Sequence, residues 1–490
     1  MPGSLVPSPN VASIPHLRQT ESMTAFPSDF LWGAATSAYQ IEGSLDVDGR
    51  GRSIWETFAE RPGAIEGGGD ARIACDSYRR WEEDLDILSE LGMKAYRFSL
   101  AWSRIMPEGR GRVNAAGLDH YERMIDELRR REIEPIVTLN HWDMPQALMA
   151  DGGWMGRSSV DAFVEYAVAA SERLGDRVDW WITQNEPWII QLLGYQLGLH
   201  APGIRDLRGA VTAGHHVLLA HGKAADAMRA TTDGRIGVAL NLLPCVPATD
   251  SADDAAAAWG SDGYVNRWFL DPLLRDGYPD DMRAHWERAT GDSLDDIILP
   301  GDEAAISGRS DFLGINFYTH RVMAAAPAGA DRPFPWQVVG STGEVERTDE
   351  GTEIVPDAFR DLLIRIHRDY PGVPLIVTEN GAISGDSPTH DGEVHDVRRT
   401  RYLRSHVAAI AEALEAGVPL RGYTHWSLLD NFEWALGYRP RFGLVYVDFR
   451  TGERIIKDSA RDYARIVRDR GLVADVGARG PQVDSLGAFG

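Results

Sequence analysis

Residues 135–143, PIVTLNHWD, and residues 180–188, WWITQNEPW, are the two segments that decide the fold. Each is a short, almost continuously apolar run that ends in polar residues, which is typical of a strand buried on both faces of a parallel sheet. An apolar stripe recurs between them at helical spacing: Val160, Phe163, Val164, Ala167 and Val168. Ser158 or Ser159 is the expected N-cap of that helix. The stretch is therefore predicted to be a strand, a helix and a second strand.

The same pattern repeats on both sides of this unit. Further apolar runs lie at 30–34, 95–99, 236–240, 312–315, 375–378 and 422–425, so eight strands are predicted in all. Helical stripes lie between several of them, and Gly417 is expected to end one of these helices. Eight strands with intervening helices favour an α/β fold with a single (β/α)8 TIM barrel and long βα loops. A doubly wound sheet is the alternative.

The charge balance narrows the classes of partner. The 490 residues include 50 basic and 73 acidic side chains, a net charge of −23, and such a surface repels nucleic acid and anionic lipid. We therefore expect no nucleic-acid partner. Two cysteines allow no disulfide framework, and the pair His215 and His216 lacks the spacing of a zinc motif, so no metal site is predicted.

The ends of the chain differ in composition from its middle. Residues 1–25 are predicted to form a flexible N-terminal arm and residues 471–490 a flexible C-terminal tail, on either side of one catalytic domain at 26–470. No uncharged apolar run reaches about 18 residues, so no membrane contact is expected. The N-terminus does not have the pattern of a secretory signal, which favours a cytoplasmic location. A homo-oligomer is possible.

Unusual polar and aromatic residues cluster where the predicted strands end. They are NHWD (140–143), QNEPW (184–188), NFY (316–318), ENG (379–381), WS (426–427) and DNFEW (430–434). In a parallel barrel these positions meet at the C-terminal rim, where active sites of this fold are built. Glu186 and Glu379 would face each other across the mouth of the barrel.

Two facing carboxyl groups suit the hydrolysis of a glycosidic bond. One protonates the leaving sugar oxygen while the other acts at the anomeric carbon, so one must be neutral and the other ionised. Tryptophan faces pack against the C–H faces of sugar rings, and Trp142, Trp188, Trp426 and Trp434 lie near the predicted rim. The residues therefore favour a glycosidase.

The motifs resemble those of the glycoside hydrolase family 1 β-glucosidases over roughly residues 26–470. The matching segments are FPSDFLWGAATSAYQIEG (26–43), YRFS (96–99), NEP (185–187), TENG (378–381), DNFEW (430–434) and RFGL (441–444). The resemblance implies a retaining exo-β-glycosidase, most simply a β-D-glucosidase, that takes a small-molecule β-glycoside and needs no cofactor.

The resemblance also implies a role for individual residues. Glu186 corresponds to the acid/base and Glu379 to the nucleophile. Contacts to the non-reducing terminal sugar are expected from Gln40, His141, Asn185, Trp426, Glu433 and Trp434. Arg97 and Tyr318 would hold and tune the nucleophile, with Asn316 nearby, and Trp188 would lie on the side of the leaving group, the aglycone.

Two positions distinguish this chain from members of that family that act on other substrates. The plant thioglucosidases have Gln in place of Glu186, and the enzymes that act on 6-phosphosugars lack a carboxylate at Glu433, so an unphosphorylated O-glycoside is expected. The chain departs from the family at Asn140, Gln184 and Thr352. These departures leave the aglycone preference and the local packing open.

Two other functions remain as alternatives, and the substrate also stays partly open. The first alternative is a transglycosidase, or a glycosidase for a specialised natural-product glycoside. The second is a non-catalytic carbohydrate-binding barrel, which the presence of both glutamates disfavours. Activity on β-galactosides or β-fucosides is compatible with the sequence.

Overall fold

The predicted strands form one closed parallel barrel in the computed structural model, which describes residues 26–327 and 334–472. Each strand pairs with its neighbours in sequence, and β8 closes on β1. The strands are β1 (Leu31–Ala35), β2 (Ala95–Ser99), β3 (Glu134–Asn140), β4 (Trp180–Asn185), β5 (Arg235–Asn241), β6 (Phe312–Phe317), β7 (Leu375–Asn380) and β8 (Leu420–Trp426). This closure confirms the (β/α)8 barrel and excludes the doubly wound sheet, which would remain open.

Amphipathic helices connect the strands and surround the barrel. The longer ones are Ser77–Glu90, Ala115–Arg130, Ser158–Leu174, Leu207–Met228, Ala252–Asp262, Asp280–Thr290, Pro356–Asp369, Val397–Glu415 and Asp458–Asp469. The helix before β4 begins at Ser158, and its N-cap is Arg157, so the prediction that Ser158 or Ser159 is the N-cap is wrong. The Ser159 hydroxyl instead donates to the carbonyl of Gly153 at 2.7 Å, because the preceding turn offers an acceptor there.

Apolar side chains fill the barrel below its rim. Inward-facing residues such as Ala95, Ile136, Ile182 and Ile376 form one buried cluster. Trp181, between two inward-facing residues of β4, packs outward into the larger core under the helices. These residues close the interior of the barrel, and the polar side chains at the strand ends lie above them.

Smaller elements lie between the barrel strands and complete the rim. Cys245–Pro247, Arg321–Ala325 and Trp336–Val339 form a three-stranded sheet, and Val445–Val447 pairs with Arg454–Ile456. The two cysteines are free. No helix in the part of the chain that the structure describes is long and apolar enough to cross a membrane. The predicted arm at 1–25 and residues 473–490 of the predicted tail lie outside the described residues.

Candidate active site

The polar residues singled out at the strand ends meet at the C-terminal rim of the barrel. Several strands continue one or two residues beyond their predicted ends: Glu379 lies within β7, Asn316 within β6 and Asn185 within β4. The backbone ladder does not depend on side-chain polarity, so the pairing runs on through these residues. Glu186 follows β4 directly with φ of 51°, a left-handed conformation that is uncommon outside glycine and recurs at functional sites.

Glu379 is held by donors on both of its oxygens. The Arg97 guanidinium, itself fully buried, donates to Oε1 at 2.6 Å, and the Tyr318 hydroxyl donates to Oε2 at 2.6 Å. A cation and a hydroxyl donor both stabilise negative charge on this carboxylate and fix its orientation. The structure thus places Arg97 and Tyr318 against Glu379.

Glu186 has a different environment. Its Oε1 accepts one hydrogen bond, from Asn316 Nδ2 at 2.8 Å, and no cation contacts it in the described chain. Burial, and then the negative charge of Glu379, raise the pKa of Glu186 well above its usual range. Glu186 is therefore suited to keep its proton at a higher pH than an ordinary glutamate does, while its partner is held by a cation.

An amide network links the two carboxylates. Arg97 donates through its second terminal nitrogen to Asn185 Oδ1 at 2.6 Å, and Asn316 Nδ2 also donates to that oxygen at 3.1 Å. The Thr378 hydroxyl donates to Asn316 Oδ1 at 2.6 Å, which sets the orientation of the amide. Thr378 had no predicted role, although its place beside Glu379 in the TENG motif was a usable signal.

A second group of polar residues comes from the loops after β1 and β8. Gln40 Nε2 donates to Asn431 Oδ1 at 2.9 Å and to Glu433 Oε2 at 3.2 Å, and Ser37 donates to Gln40 Oε1 at 2.6 Å. Asn431 and Ser37 were not predicted. They fix Gln40 so that its amide is directed at Glu433.

Burial and the charge of Glu379 also raise the pKa of Glu433 to about 8. Much of this group is therefore protonated at pH 7, and its repulsion of a 6-phosphate is weaker than that of the fully ionised carboxylate expected from sequence. Protonated, it offers both a donor and an acceptor to sugar hydroxyls.

Aromatic rings form a wall beside these polar residues. His141 stacks on Trp426 with ring centroids 5.6 Å apart and on Trp434 at 6.0 Å, and Trp142 contacts Trp434 at 4.8 Å. Asn185 Nδ2 lies 3.1 Å from His141 Nε2, while His141 Nδ1 is buried without a partner among the described residues. Burial lowers the pKa of His141 well below its usual range, so a neutral ring is available to a ligand.

Trp188 lies apart from that wall. It is 4% exposed and contacts Tyr264 edge to face, with ring centroids 6.2 Å apart. The structure therefore joins Gln40, His141, Asn185, Trp426, Glu433 and Trp434 to the neighbourhood of the two carboxylates, and puts Trp188 on a separate side.

Two of the departures from the family form a pair. Asn140 and Gln184 lie opposite each other on β3 and β4, both fully buried, and Asn140 Nδ2 donates to Gln184 Oε1 at 2.6 Å. Each amide thus gives the other a hydrogen-bond partner, which an apolar residue at either position could not provide. These two changes concern packing inside the barrel. Thr352 lies on a loop outside the barrel strands, where its backbone N–H donates to the Thr348 hydroxyl. The next residue, Glu353, contacts His320, two residues after Tyr318.

The histidine pair has structural partners. His215 bonds to Tyr278 and to Asp302, and the carbonyl of Trp154 lies 2.8 Å from a ring nitrogen of His216. Within residues 26–327 and 334–472 no group of three or more histidine, cysteine or acidic side chains is arranged to hold a metal ion.

Comparisons with known proteins agree with this geometry. The family model described as Glycosyl hydrolase family 1 matches residues 22–472. Beta-glucosidase A of Thermotoga maritima is 43% identical over 91% of this chain and 98% of its own length. The bifunctional beta-D-glucosidase/beta-D-fucosidase of Bifidobacterium breve is 41% identical over 91% of this chain and 98% of that relative. The solved Beta-glucosidase from Thermotoga maritima in complex with deoxynojirimycin has a TM-score of 0.87 at 43% identity and covers 92% of this chain and 100% of that one.

Proposed function

The chain belongs to glycosyl hydrolase family 1, and we propose that it is a retaining exo-β-D-glucosidase that hydrolyses small β-glycosides. The observation that carries the proposal is the contrast between its two rim carboxyl groups. Glu379 is held by a buried guanidinium and a hydroxyl, whereas burial raises the pKa of Glu186. A carboxylate nucleophile and a carboxylic acid are the pair that a double displacement requires.

In the first step Glu379 attacks the anomeric carbon and forms a glycosyl ester. The bond to the leaving oxygen breaks as Glu186 donates its proton to that oxygen. Arg97 and Tyr318 orient the attacking carboxylate, and their hydrogen bonds keep it from rotating away from the sugar. The aglycone leaves as a neutral alcohol.

In the second step Glu186, now ionised, removes a proton from water. The resulting nucleophile attacks the anomeric carbon, and Glu379 leaves as a carboxylate. Two inversions give net retention of the β configuration. Ester formation neutralises Glu379, so the pKa of Glu186 falls in the intermediate, which suits its change from acid to base. Neither step needs a cofactor.

Contacts to the terminal sugar are proposed for the two polar groups on either side of Glu379. Gln40 and Glu433 supply donors and acceptors from one side, and His141 and Asn185 from the other. The name of the Bifidobacterium breve relative includes a β-D-fucosidase activity, which supports some tolerance of a missing 6-hydroxyl in this chain too. A non-catalytic barrel is disfavoured because both carboxyl groups are present and oriented.

Location and assembly are further parts of the proposal. Both cysteines are free thiols, which suits a reducing cytoplasm. Cell fractionation tests the location: recovery of the protein with periplasmic or secreted markers would contradict a cytoplasmic location.

Size-exclusion chromatography with light scattering tests the assembly, because it distinguishes a homo-oligomer from a single chain.

The proposed activity is tested by following hydrolysis of para-nitrophenyl β-D-glucoside by proton NMR. We expect β-glucose to appear first and to mutarotate only later, because double displacement retains the anomeric configuration. First appearance of α-glucose would contradict the retaining mechanism. No turnover by folded protein, on this glucoside or the galactoside, would contradict the glycosidase itself.

Glu433→Ala is expected to lower kcat/KM for the glucoside about 10²-fold, because hydrogen bonds to sugar hydroxyls are lost. The loss of kcat/KM in Glu433→Gln should be smaller at pH 6 than at pH 9. The pKa of Glu433 is raised to about 8, so the wild-type side chain is neutral at the lower pH, as glutamine is, and is ionised at the higher. The measurement is the wild-type to variant ratio of kcat/KM across pH. A ratio for Glu433→Gln that stays constant from pH 6 to pH 9 would contradict this account.

A further inference from the structure

Arg321 is a half-buried arginine on the Trp188 side of the rim. It begins the strand Arg321–Ala325, three residues after Tyr318, whose hydroxyl holds Glu379. Its guanidinium carbon lies 4.8 Å from the ring centroid of Trp188, which follows Glu186 by two residues. Arg321 is therefore tied to the two loops that carry the proposed acid/base and the partner of the proposed nucleophile.

The guanidinium of Arg321 has no carboxylate partner. Across residues 26–327 and 334–472 its side chain makes no ion pair and no hydrogen bond. Its backbone N–H donates to the carbonyl of Pro244. Burial lowers its pKa, and the groups that oppose this are Cys245 and Tyr264, with no acidic residue among them. The side chain thus presents five N–H donors and a charge that no acidic residue of the described chain balances.

A half-buried arginine without an acidic partner is unusual in so acidic a chain. Its other buried or half-buried arginines in the core and around the rim have acidic partners: Arg97 with Glu379, Arg104 with Glu42, Arg267 with Asp281, Arg399 with Asp396 and Arg454 with Asp84. Removing a guanidinium from water without a partner is unfavourable. A half-buried arginine without an acidic partner is stabilised when a ligand supplies the missing acceptor.

Two of the side chains around Arg321 are aromatic. Trp188 and Tyr264 are both nearly fully buried and meet edge to face, and the Tyr264 hydroxyl donates to Gln196 Oε1 at 2.8 Å. Arginine pairs with a planar carboxylate through two parallel hydrogen bonds, and aromatic side chains pack against a flat ring. An aromatic ring with a carboxylate on it would use both features.

We infer that Arg321 selects β-glucosides whose aglycone carries a carboxylate, such as glucosides of hydroxybenzoic acids. The inference rests on the proposed function and names its substrate class. The aglycone leaves from the Glu186 side, because Glu186 protonates its oxygen, and Trp188 connects that glutamate to Arg321. The carboxylate of the aglycone supplies the partner that Arg321 lacks among the described residues.

The test compares kcat/KM for para-carboxyphenyl β-D-glucoside and for its neutral methyl ester, with para-nitrophenyl β-D-glucoside as the reference substrate. The variants are Arg321→Gln, Arg321→Lys and the matched control Arg235→Gln. Arg235 also lies over a tryptophan ring, Trp180 at 4.7 Å, but at the opposite end of the barrel. The control therefore removes a similar guanidinium–indole contact far from the rim.

We expect the carboxylate to ester ratio of kcat/KM to fall about tenfold or more in Arg321→Gln, because a charge-assisted hydrogen bond is lost. It should fall less in Arg321→Lys, which keeps the charge, and stay at the wild-type value in Arg235→Gln. Activity on the nitrophenyl glucoside should remain in all three variants. A purely structural role of Arg321 would lower activity on all substrates alike and leave the ratio unchanged.

Two results would overturn the inference. One is an equal ratio in wild type and Arg321→Gln while nitrophenyl glucoside is still hydrolysed; the other is a wild type that hydrolyses the ester and rejects the carboxylate. Wild-type protein that hydrolyses none of the three substrates would instead contradict the proposed function, and the inference would fall with it.

Discussion

Glu379→Gln is expected to lower kcat on para-nitrophenyl β-D-glucoside by at least about 10⁴-fold, as removal of a covalent nucleophile does in other enzymes. Glutamine keeps the size of the side chain and can still bond to Arg97 and Tyr318. Its amide cannot attack the anomeric carbon. The measurement is steady-state turnover, with circular dichroism and thermal unfolding to verify that the variant is folded.

Glu42→Gln is the matched control for this variant. Glu42 is also buried, pairs with Arg104 at 2.9 Å and accepts from the Tyr121 hydroxyl at 2.5 Å, so its surroundings copy those of Glu379. Both changes leave a buried guanidinium without its carboxylate and should lower the free energy of unfolding, by up to about 3 kcal/mol. Glu42→Gln should keep most of the turnover. Comparable turnover in the two variants would contradict the assignment of Glu379.

Glu186→Gln is expected to lower kcat/KM by about 10²- to 10⁴-fold for alkyl β-glucosides, the range that general acid catalysis contributes. The loss should be much smaller for a nitrophenyl glucoside, because that leaving group departs without needing a proton. The measurement is a series of glucosides whose leaving groups differ in pKa. Equal losses across the series would contradict a role as the acid.

The pH dependence of kcat/KM gives a second test of Glu186. Its raised pKa means that the proton is retained well above the usual glutamate value of about 4.3 and is lost only as the pH rises further. The wild type should therefore show a basic limb that Glu186→Gln lacks. Glu433 also has a raised pKa, so Glu433→Gln is the control and should keep the limb. A limb that survives in Glu186→Gln and disappears in Glu433→Gln would assign the titration to Glu433.

The barrel could be predicted because most of its strands are local apolar runs. Two-sided burial requires such a run whatever residues come after the strand, so the segments at 95–99 and 180–183 were recognisable on their own. Their polar ends predicted the rim because parallel strands all finish at the same end of a barrel. The strand ends were placed too early, since pairing continues through polar residues such as Glu379 and Asn380.

Contacts between distant segments could not be predicted in the same way. The bond between Asn140 and Gln184 depends on the register of β3 against β4, and Asn431 meets Gln40 across 391 positions of sequence. Left-handed backbone at Trp142, Glu186 and Trp434 is likewise invisible in the sequence, because none of them is a glycine. Tertiary packing enforces these conformations, and all three lie at the rim. The lack of an acidic partner for Arg321 among the described residues can likewise be recognised only from the structure.

The most direct measurement traps the covalent intermediate. A glucosyl fluoride with fluorine in place of the hydroxyl next to the anomeric carbon forms the glycosyl ester quickly and releases it slowly, because fluorine destabilises both transition states while fluoride remains a good leaving group. Mass spectrometry of the digested protein then locates the sugar. The account predicts a single adduct, on Glu379, and none in Glu379→Gln. An adduct on Glu186, Glu433 or any other residue, or inhibition without an adduct, would contradict it.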